Sequence, residues 1–150
     1  MTVTSTLDIV WTTRSGGGGC TERRFLDFVI DEVPLWSRLK FDFISPFGWL
    51  SPEQHEASIN RFLRKAPADL PDGRIALYIC PECGELDCGA VTMLVQREAD
   101  VIVWKDFGVQ NNYENVVHRD GLEDIGPFRF DVRQYYELFV RVRRTIQGNG

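Results

Sequence analysis

Three β-type runs in the middle of the chain, Arg74–Ile79, Ala90–Gln96 and Val101–Phe107, place the strongest constraint on the fold. The connections between them are too short for parallel crossovers, so they predict an antiparallel meander. Arg74–Ile79 alternates but is apolar on both faces, as a central strand is. Glu98-Ala99-Asp100 supplies the turn into the third run. The first connection, Cys80–Gly89, is where chemistry concentrates.

The flanking segments add two strands and two helices. Leu7–Thr12 and Arg24–Ile30 read as strands around a turn that holds Gly16 to Gly19. That turn is not a phosphate-binding loop, because no Lys-Ser/Thr pair follows and no helix starts there. Leu35–Leu39 reads as a short helical turn after Pro34. Phe41–Leu50 is aromatic-rich and is expected to pack down. Ser51-Pro52-Glu53-Gln54 has the form of a capping box with proline at the first helical position. This helix is expected to run to about Lys65, with His55, Ile59 and Phe62 on one face and Ala66-Pro67 as its stop. Gln110–Ile125 reads as a polar loop. Gly126-Pro127-Phe128-Arg129-Phe130 leads into a final helix capped by Asp131, with Gln134 as the capping-box partner. Its apolar stripe is Val132, Tyr135, Tyr136, Phe139, Val142 and Ile146, and Arg141, Arg143 and Arg144 suit the negative end of its dipole.

The expectation is an α+β fold over 1–150 as one domain. It has a mainly antiparallel sheet of about five strands in the order ββα-βββ-α, with two main helices packed on one face. With 43% apolar and 26% charged residues, a chain of this length forms a core without staples. The cysteines therefore need another explanation.

Three of the four cysteines form C-x2-C-x4-C at Cys80, Cys83 and Cys88. Cys80-Pro81-Glu82-Cys83-Gly84 has the form of a zinc knuckle, and Cys88-Gly89 resembles the end of a second one, with Glu85 where a cysteine would stand. A structural zinc site takes four protein ligands. The candidates for the fourth are Cys20, His118, His55, Glu85 and Asp87. Two other readings stand beside zinc. In one, Cys80 and Cys83 form a redox dithiol, although no helix N-terminus lowers their pKa and Glu82, Glu85 and Asp87 oppose a thiolate. In the other, the cysteines are small structural thiols or a Cys80–Cys88 disulfide across the hairpin.

The net charge of −5 argues against nucleic-acid binding and fits a basic protein partner. Met1–Thr6 shows no leader pattern and no apolar run is long enough to span a membrane, so a cytoplasmic location is expected. Neither histidine has a neighbouring nucleophile in the chain, so no catalytic residue is assigned.

Ile44-Ser45-Pro46-Phe47-Gly48-Trp49-Leu50, the Cys80–Ala90 hairpin, Val103–Gly108 and Gly126–Phe130 together resemble a family of small uncharacterised bacterial proteins. The resemblance covers most of the chain beyond about Arg24 and leaves Cys20 outside it. It implies a common fold and supplies no functional residues, although some members carry an oxidoreductase label. The expected function is a small binding protein, of the kind that neutralises a toxin as an immunity or inhibitor protein. The alternative is a thiol-disulfide oxidoreductase using Cys80 and Cys83.

Overall fold

The computed structural model describes residues 3–114 and 116–148 and places a strand on each of the five β-type runs. Met1 and Thr2 of the segment read for a leader, and Asn115 of the polar loop, lie outside the described residues. Strands β1 (Leu7–Arg14) and β2 (Arg23–Ile30) pair antiparallel along their full length, from Leu7↔Ile30 to Arg14↔Arg23. Asp31 and Glu32 turn the chain with φ of 49° and 71°. Left-handed backbone at both central residues is the geometry of a twisted two-residue hairpin turn. A short β3 (Val33–Pro34) then adds to β2, and a 3-10 turn follows at Leu35–Arg38.

Helix α1 (Pro52–Phe62) starts as its sequence predicts. The Ser51 side chain accepts from the Gln54 amide, and the Gln54 side chain accepts from the Ser51 amide. The helix stops three residues earlier than expected. Arg64 takes φ of 61°, its amide donates to Arg61 and the Lys65 amide donates to Asn60. This left-handed cap satisfies the last carbonyls before Ala66-Pro67 is reached.

The meander forms as β4 (Ile75–Ile79), β5 (Ala90–Glu98) and β6 (Val101–Gln110), all antiparallel. Phe128–Asp131 is a further strand, β7, paired with β6 from Val101↔Asp131 to Trp104↔Phe128. Helix α2 (Val132–Gly148) follows, and Asp131 accepts from the Gln134 amide. Gln134 does not complete a capping box, because its side-chain amide donates to Leu7 instead.

The fold class is α+β with antiparallel sheet and two helices, as expected. The single five-stranded sheet is corrected to two sheets, β1-β2-β3 and β4-β5-β6-β7. The reason lies in the aromatic loop. Ile44 exchanges two backbone bonds with Ile79 of β4, and the Leu26 amide of β2 donates to Phe47. Four residues thus lie between the sheets and link them at one end. At the other end the Ser5 amide donates to Arg129 of β7.

The core fills the space between these layers. Phe28 of β2, Phe62 of α1, Trp104 of β6 and Phe139 of α2 meet with ring centroids 5.2–6.4 Å apart. The Tyr135 hydroxyl accepts from Trp104 Nε1 and donates to the Phe62 carbonyl, an end group of α1. The expected stripe of α2 packs inward, joined by Leu138. Arg141 and Arg143 pair instead with Asp8 and Glu56, so their role is tertiary rather than confined to the helix dipole.

Candidate metal centre

Ile79 and Ala90 close the β4–β5 ladder, so Cys80–Gly89 is the loop of that hairpin. The first turn is set by the Gly84 amide, which donates to the Cys80 carbonyl at 3.0 Å. Gly84 has φ of 69°, which a side chain rarely tolerates. Leu86–Cys88 then forms a 3-10 turn that carries Cys88 back toward the first two cysteines.

The Sγ atoms of Cys80, Cys83 and Cys88 all lie within 4.8 Å of one another, and Cys83 and Cys88 are 3.0 Å apart. A tetrahedral ion with metal–sulfur bonds of about 2.3 Å needs sulfurs about 3.8 Å apart. The hairpin thus brings all three predicted residues into a set close enough for a metal ion. Cys80 is half-buried, Cys83 and Cys88 are exposed, and all are free thiols.

Backbone amides face the sulfurs. The Glu85 amide points at Cys83 Sγ at 3.4 Å. Burial works against ionisation of Cys80, but the amides of Cys83 and Glu82 and the neighbouring thiols outweigh it and bring that thiol below its ordinary value. Cys88 moves the other way. Its hydrogen bonds to Cys83 and Cys80 push it up to about 12. Of these two thiols, Cys80 therefore ionises the more readily.

The loop is anchored by the first hairpin. Arg14, 5% exposed, grips Asp42 through Nε and Nη2 and reaches Glu82 through Nη1 at 2.7 Å. Glu82 also accepts from the amide and hydroxyl of Thr21, both at 2.7 Å. The Thr21 amide first, and then Arg14, hold this carboxylate down to about 2. Arg23 donates to the Pro81 carbonyl and lies over the Trp49 ring. On the far side, Asn112 donates to Asp87 at 2.6 Å. Sequence reasoning missed Arg14 and Thr21 and treated Glu82 as a repulsive charge. The structure places Glu82 against Arg14, a cation it shares with Asp42, so its charge is offset in part.

None of the five candidate fourth ligands joins the three thiols within the same mutual distance. His55 Nε2 accepts from the amides of Gly48 and Leu50 at 3.0 and 3.2 Å, so its lone pair is taken. His118 bridges Val109 through its backbone and sits 3.4 Å from Glu114. Asp87 is engaged by Asn112, and Glu85 meets Cys83 through its backbone amide and carbonyl. Cys20 is exposed in a tight turn closed by two backbone bonds with Gly17.

Among the described residues, no helix is long and apolar enough to cross a membrane. Compared with protein-family models, with curated proteins and with solved structures, the chain matches none.

Proposed function

We propose that the protein is a small binding protein whose Cys80–Cys88 hairpin is held by a structural zinc ion. The observation that carries the zinc reading is the convergence of three thiols within 4.8 Å on a loop whose amides face the sulfurs. Thiolate ligands favour zinc among the common divalent ions. Two of the sulfurs are exposed and the described chain supplies three ligands, so the fourth position is open to solvent, which departs from the four protein ligands of an ordinary structural site. The ion fixes the loop, and its binding energy adds to folding energy.

Elemental analysis of untagged protein tests this, with about one zinc per chain expected and loss of both zinc and thermal stability in Cys83→Ser. Cobalt substitution should give the spectrum of three thiolates and one oxygen. A metal-free protein whose melting is unchanged by chelator would refute the zinc reading.

The partner is a basic protein, bound in the manner of a toxin-neutralising immunity or inhibitor protein. The net charge of −5 and the acidic Glu85 and Asp87 at the hairpin support it. Affinity capture at low salt should recover a basic protein in stoichiometric amount that dissociates as salt rises. Recovery of none counts against it.

A second reading is thiol-disulfide chemistry, favoured by the 3.0 Å approach of Cys83 and Cys88. Cys80 and Cys83 remain a candidate dithiol beside this pair, since all three sulfurs lie within 4.8 Å of one another. The lowered Cys80 thiol is the better nucleophile and the raised Cys88 thiol the poorer one. Alkylation rates across pH separate the readings, because a redox dithiol must show one thiol reacting well below its ordinary range in metal-free protein.

A further inference from the structure

We infer that the cleft between α1, α2 and the Trp11 edge of β1 binds a small uncharged molecule that is mainly apolar and carries one carbonyl acceptor. The cleft has a volume of about 380 Å³, within the range of small-molecule sites. Its walls are mainly apolar, with Trp11, Leu50, Ile59 and Ile146 among them. Gly48 shapes one wall. A Cβ there would stand 2.7 Å from the Trp11 ring, so only glycine lets the indole lie against the backbone.

The polar handle is His55. This side chain is 7% exposed and lines the cleft. Its Nε2 accepts two amide hydrogen bonds and so carries no proton. The proton of the neutral ring must therefore sit on Nδ1. Among the described residues, no protein group accepts it. The one buried side-chain polar atom without a partner among the described residues is Gln134 Oε1. Nδ1 is thus not sealed off, and the cleft is the opening that His55 lines. A fixed N–H donor on an apolar wall calls for an acceptor on the ligand.

Charge selects against an ion. Arg143 and Glu56, both lining the cleft, pair through two bonds of 2.7 and 3.0 Å, which balances its two formal charges. Burial also lowers the His55 pKa from its ordinary value, which favours the neutral ring. An anion or cation entering would lose its water without a counter-charge, whereas a neutral carbonyl compound loses little.

Titration with acetophenone, followed by amide and histidine nitrogen NMR shifts, tests the assignment. Ethylbenzene lacks the acceptor and benzoate adds a charge. The expected result is saturable binding of acetophenone, at least fivefold tighter than either control. Shifts should concentrate at Gly48, Ile146, the Trp11 indole and His55 Nδ1. Ile146→Trp should fill the cleft and weaken binding at least tenfold, and Gln147→Phe does the same if the first variant does not fold. Absence of saturable shifts, perturbation confined to another surface, equal binding of either control, or a proton found on His55 Nε2 would each overturn it.

Discussion

Individual side chains here do work that their neighbours in sequence do not reveal. His55 is buried by α1 and accepts two amides, and burial lowers its pKa from the ordinary value. In the unfolded chain the same ring binds a proton at about pH 6.5. Below that pH the unfolded state holds more protons than the folded one, so stability falls as pH drops through this window. Urea unfolding at pH 7.5 and 5.5 should show the loss, and His55→Asn should remove the slope while lowering stability at both. An unchanged slope in the variant would exclude His55 as its source. Arg14 gives a second prediction. Replacing it with methionine leaves Asp42 and Glu82 without their cation and costs about 2 kcal/mol by denaturation. It should also speed amide exchange at Gly84 and Gly89, the turns of the cysteine loop. Glu82→Gln should show the same exchange effect more weakly. The aromatic loop and the histidine face of α1 were readable from composition and spacing. The Arg14–Glu82 link was not, because its ends are far apart in the chain and only the docking of two hairpins brings them together.

Elements form where local chemistry is explicit and shift where tertiary bonds compete. Ser51 and Gln54 fix the start of α1 through their own side chains, so that boundary is legible. Ser51→Ala should cost about 1 kcal/mol, measured by thermal or urea unfolding, with little change in the folded spectrum. The end of α1 depends on Arg64 entering left-handed backbone, which sequence rarely announces for arginine. β7 was hidden for a similar reason. Phe128–Asp131 is only four residues long and reads as a lead-in to α2, yet it pairs along β6. Buried Arg74 marks a further tertiary decision. It bonds Thr92, Gln110 and Asp106 where the β5–β6 register shifts, and Asp106 takes φ of 58° there. A buried arginine fully satisfied in this way holds an irregularity in place that a hydrophobic pattern does not predict.

At the scale of the whole molecule, Phe62 is where both sheets and both helices meet. Phe62→Ala should cost about 3–5 kcal/mol and shift the single unfolding transition as a unit, with Trp104 fluorescence and circular dichroism moving together. Separate midpoints would mean that the sheets unfold independently. The sequence by itself determined the α+β class, the meander, the start of each helix and the clustering of three cysteines on one loop. All of these rest on periodicity, short connections and capping over a few residues. Only the tertiary structure decided that the strands divide into two sheets and that the aromatic loop links them. It also decided that the first hairpin clamps the cysteine loop and that His55 lines a cleft rather than a metal site. These outcomes depend on which distant surfaces bury each other, and a local pattern of apolar and polar residues is compatible with more than one such arrangement.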